Sequence, residues 1–276
     1  MSNTRPPIPG RPPIPGGQGK AAPSGFTFEV STGEDKTVGE RVILYGTGGI
    51  GKSTLASLIS GVNGKPTAFL DVEGSTRKME NVQRINGLVT FNDMRAAINS
   101  PDILSYGAVV VDTFTRTEEM STEHVLKSSG KSSVEDFGYG KGFTVVGENT
   151  GLLIGDLDRL ATKGVHVVCI CHDASYKVPN PSGEDFLRWE PRISNNGKVD
   201  TRSRMIEWAD HLLALRYDIA VSEDGKATGA GSRTIYTTET ADTRAKSRGN
   251  IPAFVPYASA TDDTIWREVF GANNGQ

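Results

Sequence analysis

Eight residues constrain this chain more than any others: Gly46-Thr47-Gly48-Gly49-Ile50-Gly51-Lys52-Ser53. They fit G-x-x-x-x-G-K-[ST] at every fixed position. Before them runs a β-branched segment, residues 41–45, and after them a segment of helical character, residues 52–60. A strand, a glycine-rich turn and a helix in that order let backbone N–H groups turn inward around phosphate oxygens. The helix start adds partial positive charge. Gly46, Thr47, Gly48, Gly49, Ile50 and Gly51 are therefore expected to wrap a phosphate chain. Lys52 is expected to reach the outer phosphates, the Ser53 hydroxyl to ligate Mg²⁺, and Thr54 to add a second hydroxyl. The expected ligand is ATP with Mg²⁺.

Strand and helix patterns alternate through the rest of the chain. Apolar runs at 67–71, 108–112 and 165–171 read as buried strands. Residues 92–98 read as a short helix. Residues 147–163 read as an amphipathic helix carrying Leu152, Leu153, Leu157 and Leu160, stopped by Gly164. Later strands are expected at 211–217 and 234–238, joined across a glycine-rich turn at 223–231 into an antiparallel hairpin. The pattern predicts an α/β fold of three layers: a mostly parallel sheet with helices on both faces and an antiparallel C-terminal extension. Such sheets bind ligands at the carboxyl ends of their strands.

Residues 1–25 hold a tandem hexapeptide, Arg-Pro-Pro-Ile-Pro-Gly twice, and are expected to be a disordered tail; residues 26–276 then form one ATPase domain. A net charge of −3 supplies no general attraction for nucleic acid, so any such contact needs a local patch. No apolar run reaches the roughly 18–20 residues that span a bilayer, and no membrane partner is expected. Cys169 and Cys171 share a strand face, are too close along the chain for an ordinary disulfide, and read as buried thiols of a cytoplasmic protein.

Two strand ends carry acids. Asp112 closes the run Ala-Val-Val-Val-Asp, a pattern that delivers a carboxylate to the water shell of Mg²⁺. Many ATPases place a water-activating glutamate directly after that aspartate, but here Thr113 follows. The base must come from elsewhere. Glu73, in Phe69-Leu70-Asp71-Val72-Glu73-Gly74, is the candidate, with Asp71 as the alternative.

The glycine loop, Phe-Leu-Asp-Val-Glu and Val-Val-Val-Asp-Thr together resemble the RecA core over roughly residues 38–257. More specifically, the chain resembles the short RecA-core ATPases of bacteriophages, grouped with single-strand annealing and recombination proteins. The resemblance implies that His172 senses the γ-phosphate, where RecA has glutamine. It implies that Lys246 and Arg248, in Ala-Lys-Ser-Arg-Gly-Asn-Ile-Pro, reach the ATP of a neighbouring subunit in a homo-oligomeric ring or filament. It also implies a location in the host cytoplasm for a phage-encoded chain. Gly138-Tyr139-Gly140-Lys141-Gly142 resembles a motif of the phage group and is expected to form a mobile DNA-contacting loop. The polymerising N-terminal arm and the large C-terminal domain of RecA have no counterpart in the pattern.

Residues 173–204 are expected to be a long irregular stretch. Tyr176 and Trp189 offer stacking platforms there, and Lys177, Arg188, Arg192, Arg202 and Arg204 offer cations, with Lys141 from the glycine motif. Single-stranded DNA is the expected polymer partner, in homologous recombination or annealing. A helicase loader or packaging motor is an alternative, although Asp112-Thr113 departs from the Asp-Glu pair of such motors. A small-molecule kinase using 173–204 as a lid is another. A regulatory GTPase is disfavoured because Asn-Lys-x-Asp occurs nowhere.

Overall fold

The computed structural model describes residues 32, 37–196, 199–221, 227–229 and 231–271. The expected tail at 1–25 and part of the expected turn at 223–231 lie outside the described residues. The strands are β1 (Arg41–Tyr45), β2 (Thr67–Asp71), β3 (Gln83–Arg84), β4 (Ala108–Asp112), β5 (His166–Cys171), β6 (Asp173–Val178) and β7 (Phe186–Pro191). They continue as β8 (His211–Tyr217), β9 (Ala220–Val221), β10 (Ala227–Thr228), β11 (Arg233–Tyr236), β12 (Lys246–Ser247) and β13 (Phe254–Pro256). The main sheet runs β13-β11-β8-β1-β5-β4-β2-β3, with β12 also on β8. From β8 to β3 the neighbours are parallel; β11, β12 and β13 are antiparallel. This is the α/β fold the sequence predicts.

Period-two alternation explains the three layers. Ile43 and Tyr45 of β1, Val109 and Val111 of β4, and Val167, Cys169 and Cys171 of β5 share one core cluster. Val42, Leu44, Val110, Val168 and Ile170 share the other. The first cluster is covered by α3 (Phe91–Asn99), α4 (Phe114–Ser129), α5 (Lys141–Thr162) and α6 (Thr201–Trp208). The second is covered by α1 (Lys52–Ser57), α2 (Ile59–Asn63) and α7 (Thr264–Phe270). Trp266 fixes α7 to α1 by donating its indole N–H to the Leu55 carbonyl at 2.7 Å. Both cysteines are free and buried, and burial raises both thiol pKa values.

The structure corrects several expectations. Helix α4 has no counterpart among the elements read from the sequence. Its buried face mixes Phe114, Met120 and Val125 with polar residues: Glu118 accepts from the Ser194 amide and hydroxyl, and Ser121 accepts from Asn149 and Thr150. The interleaved polar residues obscure its apolar stripe. Helix α5 begins at Lys141 rather than at 147, so the expected loop at 138–142 already contains its first two residues. Gly142 serves close packing, since a Cβ there would sit 2.2 Å from the Val134 carbonyl oxygen, whereas Gly138 and Gly140 take a positive φ of 71°. The described part of 173–204 is not one irregular stretch: β6 and β7 pair antiparallel, and α6 begins at Thr201. The helix expected at 52–60 is broken at Leu58 and resumes as α2.

His166 opens β5 with its Nδ1 accepting the Glu40 amide N–H at 2.9 Å. Burial depresses its pKa, opposed by Glu40. The fold thus holds it neutral, so its contribution to stability is complete above the unfolded value of about 6.5 and declines as pH falls below it. Thermal melts are expected to show the melting temperature falling between pH 7 and pH 5, with a shallower fall in His166→Asn. An unchanged slope in that variant would assign the acid sensitivity to other groups.

Candidate functional site

The carboxyl ends of β1, β2, β4 and β5 lie side by side, because Tyr45 pairs with Cys171, Ile170 with Asp112, and Asp112 with Asp71. The segments that follow these strands therefore line one space. A cavity of about 300 Å³ there is lined by Gly48, Gly49, Lys52, Glu73, Asp112 and His172, among others. A larger cavity of about 530 Å³ lies between the start of α3 and α4, around Phe91, Met120 and His124. It holds one carboxylate, Glu123, which is paired with Arg116, and no glycine loop, so size does not decide the matter.

The glycine loop is shaped by its backbone. Gly49 and Gly51 have φ of 74° and 112°, a region that suits glycine. Gly46 packs so tightly that a Cβ would lie 2.3 Å from the Leu215 carbonyl oxygen. Ile50 plugs into the core at 1% exposure and anchors the loop. Lys52 is buried, and its ammonium donates to the Gly46 and Thr47 carbonyls at 2.7 and 2.9 Å. Burial lowers its pKa, while Asp173 and Asp112 counter that by favouring the charged form. Thr54 lines the same cavity.

Asp112 is 1% exposed, and its Oδ2 accepts from Ser53 Oγ at 2.6 Å and from Ser75 Oγ at 2.5 Å. Burial raises the Asp112 pKa against the pull of these two hydroxyls. One carboxylate and two hydroxyls are hard oxygen donors beside open space, a set that fits Mg²⁺ with several retained waters. Among the described residues no group of three or more His, Cys, Asp or Glu forms an all-protein cage.

Glu73 faces this set from the end of β2. Its Oε1 accepts from Thr113 Oγ1 at 2.8 Å and lies 3.3 Å from His172 Nε2. Thr113 also N-caps α4, accepting from the Arg116 amide at 3.1 Å. The residue that displaces the usual glutamate thus orients the acid that can replace it. Asp71 is differently placed. Its two oxygens accept from the Gly74, Ser75 and Thr76 amides and from the Thr76 hydroxyl. Burial alone would raise its pKa, but those hydrogen bonds outweigh it and hold the carboxyl below its ordinary value. A carboxylate so engaged shapes the loop and is a poor proton acceptor.

Lys246 and Arg248 do not join this site. Strand β12 pairs with His211 and Leu212 at the amino end of β8, and Arg248 bonds Asp210 at 2.6 Å. They sit toward the opposite end of the sheet from the glycine loop. Two residues of the site escape the sequence reading: Ser75, and Arg233, whose guanidinium donates to the Ile50 carbonyl at 2.8 Å and lies 4.2 Å from the Tyr257 ring centroid. Ser75 stands two residues past Glu73, a proximity that was the only available hint.

The expected polymer contacts divide. Arg188 is locked to Glu190 and Glu239, and Arg202 to Glu190, with side chains only 11% and 12% exposed. Arg202 also covers the Tyr176 ring at 3.7 Å. These contacts tie β6 and β7 to α6 and to Glu239, and the same three side chains line a cavity of about 220 Å³. Lys177 pairs with Asp185 at 2.9 Å but remains largely exposed. Trp189 is partly exposed beside exposed Leu187, with Arg216 near its ring. Lys141, Arg192 and Arg204 are exposed.

No helix among the described residues is long and apolar enough to cross a membrane. No curated protein matches the chain. Among solved structures, it is similar to the RadB recombinase, at 15% identity and a TM-score of 0.41, over 72% of this chain and 80% of that one. It is also similar to flagellar accessory protein FlaH from Methanocaldococcus jannaschii, at 9% identity and a TM-score of 0.44, over 80% of this chain and 86% of that one. A family model described as an AAA domain matches residues 39–249, well over half of the sequence, and the chain belongs to that AAA domain family.

Proposed function

We propose that this protein is a Mg²⁺-dependent, RecA-like ATPase acting on single-stranded DNA in homologous recombination or annealing. One observation carries the catalytic half: Glu73 is held by Thr113 and His172 on the wall of the same cavity as Lys52, Ser53 and Asp112. The loop amides and Lys52 bind the phosphates. Ser53 and Asp112 would hold Mg²⁺, which supplies charge neutralisation at the outer phosphates. Glu73 orients and deprotonates the attacking water. His172 contacts Glu73 and directly precedes β6, so the outer phosphate and the β6–β7 hairpin meet at one residue.

The DNA half rests on the sequence resemblance and on the exposed face of the hairpin. Ser175, Lys177, Leu187 and Trp189 point outward there, in cross-strand pairs of Ser175 with Trp189 and Lys177 with Leu187. Stacking on Trp189, with phosphates near Lys177, Arg192, Arg204 and Lys141, is the arrangement this reading expects. Lys246 and Arg248, remote from their own glycine loop, are read as completing the site of a neighbouring copy in a homo-oligomer. ATP turnover measured with and without single-stranded DNA tests the proposal. About tenfold stimulation at low salt, lost at high salt, is expected. Turnover without stimulation or binding at low salt would remove the DNA half; no turnover at all would remove the whole.

A further inference from the structure

Ser75 belongs to no phosphate-loop or strand-end motif, yet its side chain reaches the centre of the site. The loop that carries it is tightly specified. Asp71 Oδ1 accepts from the Gly74 and Ser75 amides at 2.6 and 3.1 Å, and Oδ2 from the Thr76 amide at 2.9 Å. Arg84 clamps the next turn through the Thr76 and Met79 carbonyls and the Thr76 hydroxyl. With the backbone so held, Ser75 Oγ donates to Asp112 Oδ2 at 2.5 Å and lies 3.3 Å from Ser53 Oγ, which donates to the same oxygen at 2.6 Å. The two hydroxyls thus converge on one oxygen of a buried carboxylate.

We propose that Ser75 is a metal-positioning residue: a second hydroxyl, after Ser53, that orients Asp112 and ties the Glu73 loop to the Mg²⁺ site. The inference rests on the Mg²⁺–nucleotide reading above. Its physical basis is geometric. A carboxylate acting through the water shell must present a defined lone pair, and neighbouring hydrogen bonds fix which one. Ser75 also lies two residues from Glu73 on the same rigid loop, so an ordered metal shell and an ordered base become one arrangement. Ser75 is exposed, so its truncation leaves no core cavity.

The test is a Mg²⁺ titration of full-length protein with a fluorescent ADP analogue, for wild type, Ser75→Ala and Ser75→Thr. In Ser75→Ala the Mg²⁺ concentration giving half-maximal nucleotide binding is expected to rise about tenfold. Affinity for the analogue in chelator, and the melting temperature, stay at wild-type values. Ser75→Thr, which keeps the hydroxyl, returns the Mg²⁺ midpoint to within about threefold of wild type on the same grounds. An unchanged midpoint in Ser75→Ala overturns the proposal. So does an equal loss of nucleotide binding in chelator, which would mark a role in loop shape alone. A wild type whose nucleotide binding ignores Mg²⁺ overturns the underlying reading as well, and that outcome is visible before any variant is compared.

Discussion

Lys52→Ala is expected to lower ATP turnover at least about a thousandfold, equivalent to ~4 kcal/mol of transition-state stabilisation. The side chain is 6% exposed, and two of its three N–H donors already engage the Gly46 and Thr47 carbonyls. It is the cation set into the loop itself, facing Asp112, Asp173 and Glu73. Alanine removes the charge that offsets the outer phosphates and the brace across the loop mouth together. Because Ile50 anchors the loop from below independently, the fold should survive. Single-turnover hydrolysis with Mg²⁺–ATP measures the loss, and a circular dichroism melt checks that folding is intact. Wild-type turnover in a folded Lys52→Ala protein would sink the assignment of this cavity.

The fold was legible wherever burial is two-sided. Strands β1, β4 and β5 are apolar on both faces, so Arg-Val-Ile-Leu-Tyr and Ala-Val-Val-Val-Asp announce themselves without alternation. Helix α4 was hidden because buried Thr117, Glu118 and Ser121, bonded to Thr113, Ser194 and Thr150, interrupt the apolar positions Phe114, Met120 and Val125. The β6–β7 hairpin was hidden for a related reason. Its inner face carries Arg188 and Glu190, which look like solvated charges until Arg202 and Glu239 are brought to them from distant segments. Ion pairs between remote segments leave no periodic trace in sequence.

The same distinction separates the site residues. The glycine loop, Asp112 and Glu73 stand immediately at or after strand ends, where an α/β sheet must put its ligands. Local order was enough to single them out as candidates. The role of Thr113 was half legible: its identity excluded a neighbouring base, but its bond to Glu73 needed β2 and β4 side by side. Arg233 contacts Ile50 across 183 residues of chain, through a strand pairing that no short motif encodes.

Glu73→Gln should uncouple binding from chemistry. Glutamine keeps the length of the side chain and an oxygen that can accept from Thr113 Oγ1, so the 2.8 Å contact and the loop around it have no reason to move. It cannot take a proton from water. The turnover number is expected to fall by about 10²–10⁴, with ATP affinity within about threefold of wild type. Asp71→Asn is the informative contrast. An amide cannot satisfy all the donors that Asp71 now accepts from Gly74, Ser75 and Thr76, so that variant should disturb the loop and weaken binding together with turnover. Equilibrium binding of ATP beside single-turnover hydrolysis separates the two patterns. If Glu73→Gln hydrolyses at the wild-type rate, water is activated by another group. Because Asp71 is already saturated with donors, that group would have to come from outside this subunit's β2 loop.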